Sequence, residues 1–150
     1  MIFIAHRGNT KGPNPKRENR MDHILSALDE GYHVEIDVWY ENKQWWLGHD
    51  EPKYKTGTSI FANPKVWLHA KNSEALKRLN DHIVFNFFWQ ESDDYTLTSR
   101  GYIWCHVGAK LLPNSICVLP EQSVKGDIKK CYGICSDYDT PIGGKYYGKI

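Results

Sequence analysis

Apolar residues in this chain fall in short runs of strand length, and the polar stretches between them are broken by Gly, Pro, Asn and Asp. The first run, Ile2-Phe3-Ile4-Ala5, ends in His6-Arg7-Gly8. Residues 11–17 read as an irregular loop that leads to Glu18-Asn19, after which Met21, Ile24, Leu25 and Leu28 recur at helical spacing and Gly31 marks a stop. A second strand carries Val34, Ile36 and Val38 with Glu35 and Asp37 between them. Glu41-Asn42-Lys43 then reads as a turn, and Trp45-Trp46-Leu47 as the returning arm of a hairpin that leads to His49-Asp50. Strand, helix and strand in this order form a βαβ unit, which argues for parallel strands and an α/β fold.

Further along, residues 51–64 are polar and predict a loop over a site or a linker. Residues 66–70 predict a strand and 73–79 a helix with its N-cap at Asn72 or Ser73. The apolar and aromatic run at 83–89, interrupted by Asn86, suits a strand buried on both faces, and 92–95 a turn. Further strands are expected at 102–106, 116–119 and 133–136. The pattern yields about seven strands and only two convincing helices, with no internal repeat.

The polar groups at the strand ends carry the chemistry. Successive strand residues alternate faces, so Glu35 and Asp37 share one face, roughly 6–7 Å apart along the strand. Two carboxylates there repel each other, and a hard divalent cation such as Mg²⁺ or Ca²⁺ removes the conflict. A pair of imidazoles, His6 and His49, suits general acid and base work across one bond. Arg7 beside His6 adds a donor fork that fits a phosphate oxygen. His69, at the end of the 66–70 strand and two residues before Lys71, has three roles open to it: a metal ligand, a hydrogen-bond donor to phosphate, or a protonated substitute for the metal's charge. The six tryptophans could stack on a sugar or headgroup, but four of them sit in expected strands, where core packing is the first reading.

The order His6-Arg7-Gly8, Glu18-Asn19, Glu35-x-Asp37 and His49-Asp50 resembles the signature of the glycerophosphodiester phosphodiesterases, within the phospholipase-C-like phosphodiesterase superfamily. The resemblance implies a TIM-type barrel, two catalytic histidines matching His6 and His49, and a divalent metal held partly by residues matching Glu35 and Asp37. That family carries a Glu-x-Lys at the end of the next strand; here Lys71 is kept and His69 stands in place of the Glu. Residues 133–138 resemble the family's late strand and the turn that follows it. The match is specific over the first 50 residues or so and thin beyond them.

Length and composition limit what else the chain can do. At 150 residues it is read as a single phosphodiesterase-like domain, 1–150. Typical (β/α)₈ barrels use about 250 residues. The expectation is therefore an α/β fold built as a trimmed or incomplete TIM-type barrel with few outer helices, the alternative being an open α/β sheet. Flanks left bare by missing helices give a second copy a surface to cover, which makes a homodimer an option. With 19 basic and 18 acidic side chains, no net field recruits nucleic acid or an anionic membrane. No run reaches the roughly 20 apolar residues of a membrane span, and no signal peptide opens the chain. The four cysteines lack zinc-site spacing and read as buried thiols, which fits a cytoplasmic protein.

The function expected from these readings is metal-dependent cleavage of a small-molecule phosphodiester by His6 and His49. Glu35, Asp37 and His69 are the candidate metal residues, and Arg7, Glu18, Asn19 and Lys71 the candidate substrate-binding residues. Two alternatives are a lyase of the same superfamily that forms a cyclic phosphate, and a non-catalytic module that binds the phosphodiester without turnover.

Overall fold

Ten strands form one mixed sheet in the computed structural model of the chain, which describes residues 1–139. In chain order they are β1 (Ile2–His6), β2 (His33–Glu41), β3 (Gln44–Leu47), β4 (Tyr54–Thr56), β5 (Val66–Ala70), β6 (Phe87–Phe88), β7 (Tyr95–Leu97), β8 (Ile103–Cys105), β9 (Ser115–Val118) and β10 (Gly133–Ser136). Helix α1 (Met21–Asp29) lies between β1 and β2, and α2 (Ser73–Asn80) between β5 and β6. Parallel pairing runs through β6-β5-β2-β1-β10-β9-β8. Strands β3 and β4 join β2 as an antiparallel meander, and β7 pairs antiparallel with β8.

Strand β2 is the organising element because it is long enough to pair three ways. Its first half lies beside β1, with His6 opposite Glu35; its second half lies beside β3, with Val38 opposite Leu47. Along its other edge it pairs with β5, setting Glu35 opposite Trp67 and Asp37 opposite His69. Alternation then divides the sheet into two faces. Val34, Ile36, Val38, Val66, Leu68 and Ala70 turn toward the helices and join Ile24, Ala27, Ala75 and Leu79 in one buried cluster. Burying each larger aliphatic side chain contributes about 1.5–3 kcal/mol. On the concave face, Ile4, Trp67, Phe88, Trp104, Ile116 and Val118 fill the interior. Glu35, Asp37 and His69 lie on this same face, the two carboxylates in the first half and middle of β2 and His69 near the C-terminal end of β5.

The helices follow their local signals. Of the two expected N-cap positions, Asn72 caps α2, its side chain accepting from the Ala75 amide. Helix α1 spans most of the segment where helical spacing was found.

The expected TIM-type barrel is not what forms. The described residues are mostly β-sheet, curled into a half-barrel of mixed strands with two short helices, and no layer of helices surrounds it. Beyond α2, the strands are joined by turns and a single 3₁₀ turn at Ile128–Lys130. No helical periodicity occurs there, so nothing is available to build an outer layer. The 83–89 run is also corrected: only Phe87–Phe88 is strand, and Ile83 is 97% exposed. Residues 81–84 turn out of α2, and Arg100 NH2 donates to the Val84 carbonyl at 2.6 Å, holding this apolar segment at the surface.

Candidate functional site

The C-terminal ends of neighbouring parallel strands gather the polar residues. His6 and Arg7 end β1, Glu35 and Asp37 lie within β2, His69 and Lys71 are at and beyond the end of β5, and Asp137 follows β10. His49 arrives by the hairpin. The Gly48 amide donates to the Asp37 carbonyl at 3.2 Å, and the Gly48 carbonyl accepts from Trp39 Nε1 at 2.6 Å. Gly48 has φ +151°, and a Cβ at this position would collide with the Glu51 carbonyl oxygen. We expect Gly48→Ala to destabilise the fold by about 1–3 kcal/mol, lowering the midpoint in thermal unfolding by several degrees.

Two residues in left-handed backbone conformation draw the loop after β1 against β2. Arg7 (φ +54°) turns its own amide onto Glu35 Oε2 at 3.3 Å and its Nε to 3.1 Å from Asp37 Oδ2, while its NH1 donates to Glu18 at 3.2 Å. Asn19 (φ +60°) makes a reciprocal pair with Asp37: its amide nitrogen donates to Oδ2 and its oxygen accepts from the backbone amide, each at 2.9 Å. Positive φ in non-glycine residues concentrates at functional sites. Here it orients the residues on either side of the buried carboxylates.

Asp37 and His69 meet in a way that asks for a cation. His69 Nε2 lies 2.9 Å from the Gln90 carbonyl, and a carbonyl can only accept, so Nε2 carries the hydrogen. Nδ1 of the neutral ring then presents a lone pair to Asp37 Oδ1 at 3.1 Å and Glu35 Oε1 at 3.8 Å. Asp37 Oδ1 is buried and makes no hydrogen bond. Lone pairs and carboxylate oxygens repel at this range unless a proton or a metal lies among them. Glu35, Asp37 and His69 offer three ligand atoms within 4.8 Å of one another. A ring N–H bound to a backbone carbonyl is also the usual support of a metal-ligating histidine. The three residues therefore fit a divalent metal.

Charge balance points the same way. Four carboxylates, from Glu18, Glu35, Asp37 and Asp137, surround two fixed cations, Arg7 and Lys71, with Lys71 Nζ 3.8 Å from Asp37. Burial drives the Glu35 carboxyl above its ordinary value, and the neighbouring Asp37 charge adds to this. Burial also opposes ionisation of Asp37, but the His69 ring when its Nδ1 also carries a proton, then Arg7 and Lys71, outweigh it and hold Asp37 well below the usual carboxylate range.

The two histidines are held differently. His6 Nδ1 lies 2.9 Å from Asp137 Oδ1, and its Nε2 is 4.0 Å from Glu35. Burial pulls the His6 ring down, but the Asp137 hydrogen bond and the Glu35 charge outweigh it and the net shift is upward. His49, bonded through Nδ1 to Asp50 at 2.7 Å, is shifted downward, chiefly by burial. Asp137 is fixed on two sides. Its carboxylate accepts from Asn9 Nδ2 at 2.8 Å, and its amide donates to Glu121 at 2.8 Å. Asn9 also donates to Glu18 at 3.0 Å, and its oxygen faces His23 Nε2 at 3.0 Å.

A cavity of about 220 Å³ opens onto these groups, and His6, Arg7, Glu35, His49, His69 and Lys71 all line it. Asp37 lies behind them, 1% exposed. Glu18 and Asn19 line a neighbouring cavity of about 140 Å³, which shares Arg7 and His49 with the first. Every residue singled out from sequence thus falls in one connected region. Asn9, Asp137, Glu121 and the Gln90 carbonyl were missed as site components. Of these only Asp137 had a signal, the turn that follows the late strand.

Comparison with protein-family models, with curated proteins and with solved structures finds no match to this chain. Among the described residues no helix is long and apolar enough to cross a membrane.

Proposed function

We propose that this protein is a metal-dependent phosphodiesterase that cleaves a glycerophosphodiester-like substrate with two histidines as acid and base. The observation that carries the reading is a single cavity lined by His6, His49, Arg7 and Lys71 beside the Glu35, Asp37 and His69 cluster. The resemblance of the first 50 residues to the glycerophosphodiester phosphodiesterases is consistent with it.

Glu35, Asp37 and His69 would hold Mg²⁺ or Ca²⁺, and the ion would supply positive charge to neutralise the phosphoryl oxygens. Arg7 and Lys71 supply fixed positive charge to the same oxygens. The opposite shifts of the two imidazoles divide the proton work. His6, shifted up by the Asp137 hydrogen bond and the Glu35 charge against its burial, is the better proton donor of the two and gives its proton to the leaving oxygen. His49, shifted down, is neutral and takes the proton of the attacking water. Asp137 receives the His6 Nδ1 hydrogen, leaving Nε2 to face the reacting bond.

Two measurements test this. Phosphorus NMR of glycerophosphodiesters incubated with the protein should show a linear phosphomonoester that appears with Mg²⁺ or Ca²⁺ and not with chelator. A persistent cyclic phosphate would make it a lyase, and metal or phosphate binding without turnover would leave a binding module. The pH profile should be bell-shaped, because His49 must be neutral and His6 protonated. Its rising limb is expected below the ordinary imidazole value of 6.5 and its falling limb above it. A profile that rises through alkaline pH without a falling limb would contradict the assigned roles.

A further inference from the structure

Two cavities meet at the reacting groups, and their linings differ. The larger continues past His6 and His69 to a wall of Phe88, Trp104, Val107, Val118 and Leu119, with Glu91 and His106 also on its lining. The smaller is lined by Glu18, Asp50, Glu51, Lys53 and Tyr54. Arg7 and His49 are the residues they share. A phosphodiester has two organic arms, and a phosphate held at Arg7 and His49 would have one cavity open to each arm.

Leu119 gives the apolar wall a second, independent mark. It sits just beyond β9 with φ +45°, a conformation that a bulky side chain adopts only under strain. Pro120 follows, which restricts Leu119 further toward extended backbone. The strained residue is held from both sides. Its amide donates to the Cys135 carbonyl at 2.7 Å, and its carbonyl accepts from Gln122 at 2.9 Å. Glu121, within the same turn, binds the Ser136 hydroxyl at 3.0 Å and the Asp137 amide at 2.8 Å. A turn tied down this firmly, with a leucine forced into an unfavourable conformation on a cavity wall, is the pattern expected where strain serves a binding site.

We infer that the larger cavity is an apolar subsite for one alcohol arm of the phosphodiester, a single ring or short branched alkyl group, with Leu119 setting its selectivity, while the smaller cavity takes a small polar alcohol such as glycerol. This rests on the phosphodiesterase reading. The volume of about 220 Å³, shared with the phosphate, is below the roughly 300–1,000 Å³ of sites for drug-sized ligands. A long acyl chain is not accommodated within it.

The test compares two diesters with similar leaving alcohols, benzyl glycerol phosphate and bis-glycerol phosphate, on wild type, Leu119→Gly and Leu119→Asn. Glycine removes the wall together with the backbone strain, and asparagine tolerates positive φ while making the wall polar. The wild type should prefer the benzyl diester in kcat/KM by about 10- to 100-fold, and both variants should bring the ratio close to one. Equal use of the two diesters by wild type, or a ratio unchanged in both variants, overturns the subsite. Benzyl phosphate and glycerol phosphate, titrated by NMR in the presence of Mg²⁺, give the same comparison without turnover. If neither diester is cleaved but benzyl phosphate binds about tenfold tighter and the preference vanishes in the variants, the phosphodiesterase reading fails and the subsite stands.

Discussion

On the proposed mechanism, Asp137→Asn is expected to lower turnover by about 10²–10⁴-fold, close to the loss expected of His6→Ala, although Asp137 is assigned no contact with substrate. The carboxylate receives the His6 Nδ1 hydrogen at 2.9 Å and the Asn9 amide at 2.8 Å. An asparagine there can offer N–H to His6 instead, which favours the tautomer with its hydrogen on Nε2 and leaves the ring poorly fixed. The pH profile separates this effect from simple misfolding. The Asp137 hydrogen bond and charge are among the influences that raise the His6 imidazole, so removing them lowers it. A general acid works only below its pKa, and the falling limb of the profile therefore moves to lower pH in Asp137→Asn. Loss of turnover with the falling limb unmoved would assign Asp137 a structural role only. Steady-state kinetics across pH at saturating metal, beside a thermal melt of the variant, decides between them.

Trp67→Ala destabilises the fold by about 3–5 kcal/mol, a fall of roughly 10 °C or more in thermal unfolding. Trp67 is 2% exposed and lies on the concave face directly opposite Glu35 in the neighbouring strand. Its ring is 5.8 Å from that of Trp104 and 5.0 Å from that of Tyr102, and its Nε1 donates to His33 Nδ1 at 3.1 Å. Truncation opens a void beneath the charged layer and leaves His33 without that donor. Trp67→Phe, which keeps a ring, should lose less than half as much. Equal losses in the two variants would mean that the hydrogen bond to His33, not the packing, sets the cost.

The strands and the site residues could be read from the chain to different extents, for physical reasons. Period-two alternation placed Glu35 and Asp37 on one face, and a hairpin signal brought His49 back, because both are local features of a strand. Helix α2 announced itself through its Asn72 cap. The trimmed TIM-type barrel, with few outer helices, is an expectation from the resemblance and from one βαβ unit; the curled half-barrel of mixed strands overturns it, and local patterns carry no signal for how a sheet closes. Asn9 follows Gly8 and reads locally as a turn, so its bonds to Glu18 and Asp137 have no signature in the neighbouring residues. Gln90 contributes a backbone carbonyl to His69, which no side-chain pattern reveals. Asp137 lies 131 residues from His6, and local periodicity carries no information on which strands become neighbours.

That last pairing bears on the order of assembly. Strand β10 is inserted between β1 and β9, so the first strand of the chain has one of its two parallel neighbours only after most of the sequence has been made. Closing so long a loop is slow compared with forming the β2-β3 hairpin. Until β10 enters, the edge of β1 is open and His6 has no Asp137 to orient it. An early folding species can thus contain the Glu35, Asp37 and His69 cluster while lacking an oriented proton donor. Metal affinity and turnover should therefore be acquired at separate times during refolding.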